Sequence, residues 1–312
     1  MIFRRRRFWL PCEKTTEMYS TDLVFFLLSA ASGLLYAYFA IDRRGETAER
    51  RGAVSFWRDI FVIFLAVFVF RGFFFDWFTI PSNSMQPTLR VGDYVLVEKN
   101  RYGFRMPVWH WRLSAGEPPA RGDIVVFRKP GDEIYFVKRI IALPGDKLSY
   151  YDGVFYINDR RIPARDEEEI YSYPGGSGGL YRERLPDGGW YHILQEDDGR
   201  RAGVAQTPDD NCSLLRLPSG RVLNCHLPDG YYFVAGDNRD HSNDSRYWGL
   251  LPESHLIGPA VRVIYNFSSD DSRAGLSLRP SSQPFAEPAK VQTEDADNDN
   301  NNNNDETEKA EY

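Results

Sequence analysis

Polar positions are nearly absent from two stretches close to the start of the chain. Residues 23–41, LVFFLLSAASGLLYAYFAI, form an unbroken apolar run of about the 20 residues that a helix needs to cross a bilayer. A cleaved signal peptide is the competing reading, but the run is long for that purpose and Ala37 and Ala40 lack the A-x-A spacing of a cleavage site. The second stretch, IFVIFLAVFVF at 60–70, is shorter and is extended by FRGFFFDWFTI. Arg71 can snorkel there, and Trp57 and Trp77 sit where interfacial aromatics belong. A buried helix of a soluble domain is the alternative for this segment; a transmembrane hairpin is the better fit to both runs together.

Beyond residue 78 the pattern changes to short, β-branched and aromatic segments bounded by Gly-Asp, Asp-Gly or Pro-Gly turns: VGDYVLVEK, RGDIVVFRK, EIYFVKRIIAL, YDGVFYIN, DGYYFVAGD and PAVRVIYNF. These predict an all-β core, with loosely helical interruptions such as the acidic RDEEEIYS. Residues 166–228 include the glycine-rich YPGGSGGL and separate strands that otherwise read as one domain, so they are expected to form an inserted lobe or long excursion. The chain then divides into an N-terminal extension (1–22), a first span (23–41), a link (42–53), a second span (54–77), a β core (78–165 and 229–267) around the insertion, and an acidic, Asn-rich tail (268–312) expected to be disordered.

Charge refines the picture. A net charge of -6 with 26% charged residues leaves no pronounced basic face, which argues against nucleic acid as a partner. The arginines instead flank the apolar runs. Those at 43, 44, 50 and 51 place the link on the cytoplasmic side, and everything after about residue 77 on the other. Arg4–Arg7 run against that orientation and are partly offset by Glu13, Glu17 and Asp22. Of three cysteines, Cys212 and Cys225 both fall in the part expected on the exported side and could pair there. No Cys-x-x-Cys or H-E-x-x-H spacing points to a metal, and no cofactor is implied.

Candidate chemistry begins just past the second span, in IPSNSMQPTL (80–89). In an extended segment Ser82 and Ser84 would project to one side, so that one could attack while the other donates a hydrogen bond. Pro81 and Pro87 stiffen the backbone around them. A plain polar turn explains the same residues. A serine nucleophile needs a base, and no histidine sits in a recognisable setting. Lys138, in EIYFVKRIIALPGD, shares its strand face with Ile134, Phe136 and Ile140. Such surroundings disfavour an ammonium and can turn lysine into a neutral-pH base. An edge-strand lysine with a wet head fits that periodicity equally well. GDNRDHSNDSRYWG (236–249) supplies Ser242 as a hydroxyl that could orient the lysine, and Asp237, Arg239, Asp244 and Arg246 as an ion-pair scaffold. As structure alone it could be a hydrogen-bonded loop or a cation site, though its spacing breaks the calcium-loop pattern.

Taken in order behind a membrane anchor, these stretches resemble the bacterial type I signal peptidases, membrane-bound serine proteases that remove signal peptides from exported preproteins. The likeness covers roughly residues 55–267 apart from the insertion. IPSNSMQPTL is similar to the nucleophile block, GDYVLVEK to the block after it, RGDIVVFRKP with YFVKRIIALPGD to the lysine block, and GDNRDHSNDSRYWG to the last. The resemblance implies Ser84 as nucleophile, Lys138 as general base, Ser82 and the Ser84 N–H as the oxyanion hole, Ser242 as the residue orienting the lysine, and Asp244 with Arg246 as a supporting ion pair. It implies a signal peptide bound along an edge strand by its backbone, with alternate small side chains in two shallow pockets. The implied partners are preprotein signal peptides, the phospholipid bilayer and the secretion translocon, and the implied location is the bacterial cytoplasmic (inner) membrane with the catalytic domain outside. Asn83 stands where many members carry glycine, and His241 where asparagine is frequent. Relatives in the endoplasmic reticulum use histidine in place of the lysine, so Lys138 favours a bacterial or organellar enzyme.

Two rivals remain distinguishable. A self-cleaving serine–lysine protease like the SOS repressors would carry an N-terminal DNA-binding head where this chain has apolar spans. A membrane-tethered, non-catalytic β domain that binds peptides or envelope partners would have no need of Ser82, Ser84, Lys138 and Ser242 together.

Overall fold

The computed structural model describes residues 17–41, 48–107, 111–132, 134–196, 204, 209–218, 220–266 and 273–280. The Arg4–Arg7 cluster, the first half of the link and all but a short part of the expected tail lie outside the described residues. Helices α1 (Glu17–Ile41) and α2 (Ala48–Phe73) lead the chain, and both are long and apolar enough to cross a membrane. They pack on each other through Phe26 and Phe68, whose ring centroids lie 5.7 Å apart, and through Gly33, where a Cβ would come within 3.0 Å of the Phe61 ring. Ser29 and Ser32 of α1 return their hydroxyls to carbonyls of their own helix at 2.8 and 2.7 Å, which satisfies them in apolar surroundings.

The second helix ends earlier than the hydropathy suggests. The apolar pattern carries the span through residue 77, but α2 stops at Phe73 and the chain turns into strand β1 (Phe75–Thr79). Asp76 decides this. It is buried and holds Arg71 at 2.8 Å and Lys99 at 3.7 Å, while Lys99 also reaches Asp22 of α1 at 3.2 Å. These two acids and two bases tie both helices to the first sheet.

With strands numbered along the chain, that sheet has the order β1, β2 (Asp93–Glu98), β15 (Leu256–Asn266), β3 (Ile124–Arg128), β4 (Tyr135–Ala142), β13 (Tyr231–Ala235) and β14 (Leu251–Pro252). A second sheet runs β11 (Cys212–Leu217), β12 (Gly220–His226), β5 (Lys147–Tyr151), β6 (Val154–Ile157) and β7 (Arg160–Arg161); a third runs β10 (Trp190–Gln195), β9 (Gly176–Arg184) and β8 (Ala164–Tyr173). Neighbours in all three pair antiparallel. The described chain is mainly β, as expected, and each of the six segments read as a strand contains one.

The expected insertion is not a lobe apart. Strand β12 joins β5 edge to edge, and its Leu223 and Cys225 pack with Leu148, Tyr150, Phe155 and Phe233 in one apolar cluster that also takes in Tyr191 and Ile193 of β10. Cys212 and Cys225 face each other across β11 and β12 and are joined by a disulfide. The RDEEEIYS stretch, expected to be loosely helical, is strand β8, interrupted by an irregularity between Asp166 and Glu169. Most of its residues are exposed on both faces, so no alternation marks it as a strand.

Candidate active site

Ser84 stands in a single 3-10 turn, Asn83–Met85, just beyond β1. Burial on its C-terminal side pins the turn: Met85 and Leu89 are fully buried beside Val95, Val97 and Ile124, and each such burial stabilises by about 1.5–3 kcal/mol. Leu89 N–H donates to the Met85 carbonyl at 2.8 Å. The segment is therefore not extended through both serines. Ser82 is extended (φ -138, ψ 161) and Ser84 is already in the turn, yet their hydroxyl oxygens lie 3.3 Å apart on one side.

Lys138 reaches the turn from β4. It is 3% exposed, and Nζ donates to Ser84 Oγ at 2.5 Å and to the Val137 carbonyl at 3.0 Å. The Phe136 ring lies beside the amine, its centroid 5.5 Å from Nζ. Burial lowers the amine from an ordinary 10.5 to about 8; Asp244 and Asp237 oppose the shift, and Arg246 adds to it. A serine hydroxyl thus touches an amine that loses its charge near neutral pH.

The 236–249 stretch wraps behind this pair. Gly236 is required there, because a Cβ would meet the Ser84 carbonyl oxygen at 2.5 Å and the Ser242 side chain as well. Ser242 is buried, but its hydroxyl makes no hydrogen bond to the lysine, which is held by the Val137 carbonyl of its own strand instead. Asp244 caps the short helix α3 (Ser245–Trp248). It accepts from Arg246 Nε and Nη2 at 2.8 and 2.7 Å and from the Gly236 N–H at 3.0 Å. Burial alone would raise the Asp244 carboxyl; Arg246 outweighs it and holds the group below the usual carboxylate range.

Two further buried pairs complete the scaffold. Asp237 accepts from Arg139 Nε and Nη2 at 2.8 and 2.6 Å and from Thr88 Oγ1 at 2.6 Å. Arg139 follows Lys138 directly, so adjacent strand residues send one base to the serine and one to the scaffold. Arg239 donates both terminal guanidinium nitrogens, Nη1 and Nη2, to Glu183 of β9, and Tyr191 donates to the same carboxylate. Sequence reasoning found Asp237 and Arg239 but missed Arg139 and Glu183. Arg139 could have been found as an arginine in an apolar strand, whereas nothing local marks Glu183, 56 positions from its partner.

Comparison with known proteins matches the sequence to a family. The profile described as "Signal peptidase, peptidase S26" matches residues 53–265. The chain is 35% identical over 247 residues to the signal peptidase I of Buchnera aphidicola subsp. Acyrthosiphon pisum, covering 71% of this chain and 78% of the relative. It is 33% identical over 277 residues to that of Pseudomonas fluorescens, covering 77% and 90%, and 36% identical over 229 residues to that of Rickettsia typhi, covering 66% and 77%. These matches define a peptidase, and the two long apolar helices fit a membrane anchor. The chain belongs to the S26 family of signal peptidases, and its relatives are bacterial.

Proposed function

We propose that this chain removes signal peptides by a serine–lysine mechanism in which Ser84 is the nucleophile and Lys138 the general base. The observation that carries the reading is the 2.5 Å contact between Lys138 Nζ and Ser84 Oγ in a site that lowers the amine to about 8. The neutral amine takes the Ser84 hydroxyl proton as Oγ attacks the scissile carbonyl. The Ser84 N–H and the Ser82 hydroxyl stabilise the developing oxyanion. The lysine ammonium then gives its proton to the departing amine, leaving an acyl-enzyme on Ser84. Water, deprotonated by the same amine, hydrolyses that ester. Behind the pair, Asp244 braced by Arg246 holds Gly236 against the serine turn, and Ser242 packs against the same glycine.

Strand pairing supports a place for the substrate. Pairing of β13 with β4 ends at Ala235–Arg139, so Phe136–Lys138 pair with no strand on that side among the described residues. An extended signal peptide can add there by backbone hydrogen bonds, which brings its scissile bond past Ser84. The arginine-rich link supports a cytoplasmic position for it, with the β domain outside the bacterial inner membrane, in contact with lipid and receiving preproteins from the translocon. Replacing Ser84 or Lys138 by alanine in the detergent-solubilised protein tests the assignment: preprotein cleavage after a small residue should vanish in both, and full activity in either overturns it.

A further inference from the structure

The turn that carries Ser84 is held from outside its own sheet. Asn83 Nδ2 donates at 2.9 Å to the carbonyl of Pro174, in the tip of the β8–β9 hairpin. On the other side of the nucleophile, Tyr171 donates its hydroxyl to Gln86 Oε1 at 3.1 Å. Asn238 closes the circuit. Its backbone N–H donates to the Ser84 carbonyl at 3.1 Å, and its side-chain Nδ2 donates to the Asn83 carbonyl at 3.1 Å and to the Tyr173 hydroxyl at 2.9 Å. Residues 83, 84 and 86 are therefore each bonded either to the hairpin or to the residue the hairpin holds.

The tip is built for this approach. Gly175 has φ +105, and a Cβ on it would lie 3.5 Å from Asn83 Nδ2. A Cβ on Gly176 would press to 2.8 Å from the Tyr173 hydroxyl. Gly175 is needed for its left-handed φ rather than for space, and Gly176 for its close approach to Tyr173. A single 3-10 turn has little stiffness of its own, while an oxyanion donor acts only if its direction is set before charge develops. The direction of the Ser84 N–H thus depends on ties made outside the turn.

We propose that the tip of the β8–β9 hairpin is a positioning element for the reaction, and that it fixes the Ser84 turn through Asn83 and Tyr173. Neither residue touches the reacting atoms. The proposal rests on Ser84 being the nucleophile, so its test carries a Ser84→Ala control. The full chain in detergent micelles is assayed on a synthetic peptide spanning a signal-peptide cleavage site, as Asn83→Gly, Asn83→Asp, Tyr173→Phe and the Asn83→Gly/Tyr173→Phe double variant, with kcat, KM and melting temperature read for each. Asn83→Gly removes the donor without adding charge, whereas Asn83→Asp keeps the size of the side chain but puts a charged acceptor where the donor stood.

Each single variant should lower kcat by about tenfold or more, as small misplacements of a reacting group do, with KM and melting temperature unchanged. The double variant should lose less than the product of the single losses, since both bonds serve one clamp. Wild-type kcat in Asn83→Asp and Tyr173→Phe, or a loss that tracks melting temperature, overturns the proposal. If Ser84→Ala is inactive while those variants keep wild-type kcat, the clamp alone fails. An active Ser84→Ala removes the nucleophile assignment and the clamp with it.

Discussion

Replacing Lys138 by methionine should abolish activity and stabilise the protein, and the stabilisation should depend on pH in a calculable way. The folded amine titrates near 8 against an ordinary 10.5 because burial disfavours its charge. Between those two values the unfolded chain binds a proton that the folded chain does not, so stability rises with pH across that window. Below pH 8 both states are protonated and the whole penalty is present. At about 1.4 kcal/mol per pH unit this is about 3 kcal/mol, falling to about 1 kcal/mol at pH 9.5. Methionine matches the lysine stem in an apolar site and carries no charge to desolvate. Urea unfolding of the detergent-solubilised protein, monitored by tryptophan fluorescence at pH 6.5 and 9.5, measures the difference between variant and wild type. A gain of about 3 kcal/mol at pH 6.5 that shrinks by about 2 kcal/mol at pH 9.5 is expected. A variant no more stable than wild type at pH 6.5, or a gain independent of pH, would refute the claim that the folded site disfavours the ammonium.

The same shift sets the rate. Because only the neutral amine can accept the Ser84 proton, kcat/KM should rise with pH through a limb near 8; a rate flat from pH 6.5 to 9.5 would exclude Lys138 as the base. Ser82→Ala removes one oxyanion donor and should lower kcat by about a hundredfold or more with KM little changed, whereas a loss confined to KM would place Ser82 in binding. The Cys212–Cys225 disulfide closes a loop of 13 residues. Reducing it, or replacing both cysteines by serine, should destabilise the β domain by about 3 kcal/mol, and an unchanged urea midpoint would show that β11 and β12 stay in place without it. Asp76→Ala leaves Arg71 and Lys99 beside a lost carboxylate and should cost about 3 kcal/mol or more, detectable as a lower midpoint in the same unfolding assay.

Local signals were enough for much of this protein. Two apolar runs marked the helices, period-two segments between Gly-Asp turns marked six strands, and the order of four motif stretches behind the anchor marked Ser84 and Lys138. The helices and strands depend only on neighbours in the chain, because periodicity places apolar side chains on one face; Ser84 and Lys138 were singled out by the resemblance of the ordered stretches, since periodicity alone fits a wet edge-strand lysine equally well. What tertiary structure decided depends on partners distant in sequence. The second helix ends at Phe73 because Asp76 meets Arg71 and Lys99. RDEEEIYS is a strand because β9 pairs with it, although its exposed residues show no alternation. Residues expected to form a separate lobe instead complete the core, since Leu223 and Cys225 pack against Phe155 and Phe233. The amine is held by Val137 rather than Ser242, and Glu183 neutralises Arg239 from 56 positions away. The amide of Asn83, a turn residue by its sequence, finds Pro174 across 91 positions. Periodicity reports which face of an element is buried; only the folded chain determines which buried charge meets which partner, because a desolvated ion must be paired wherever the topology brings its counterion.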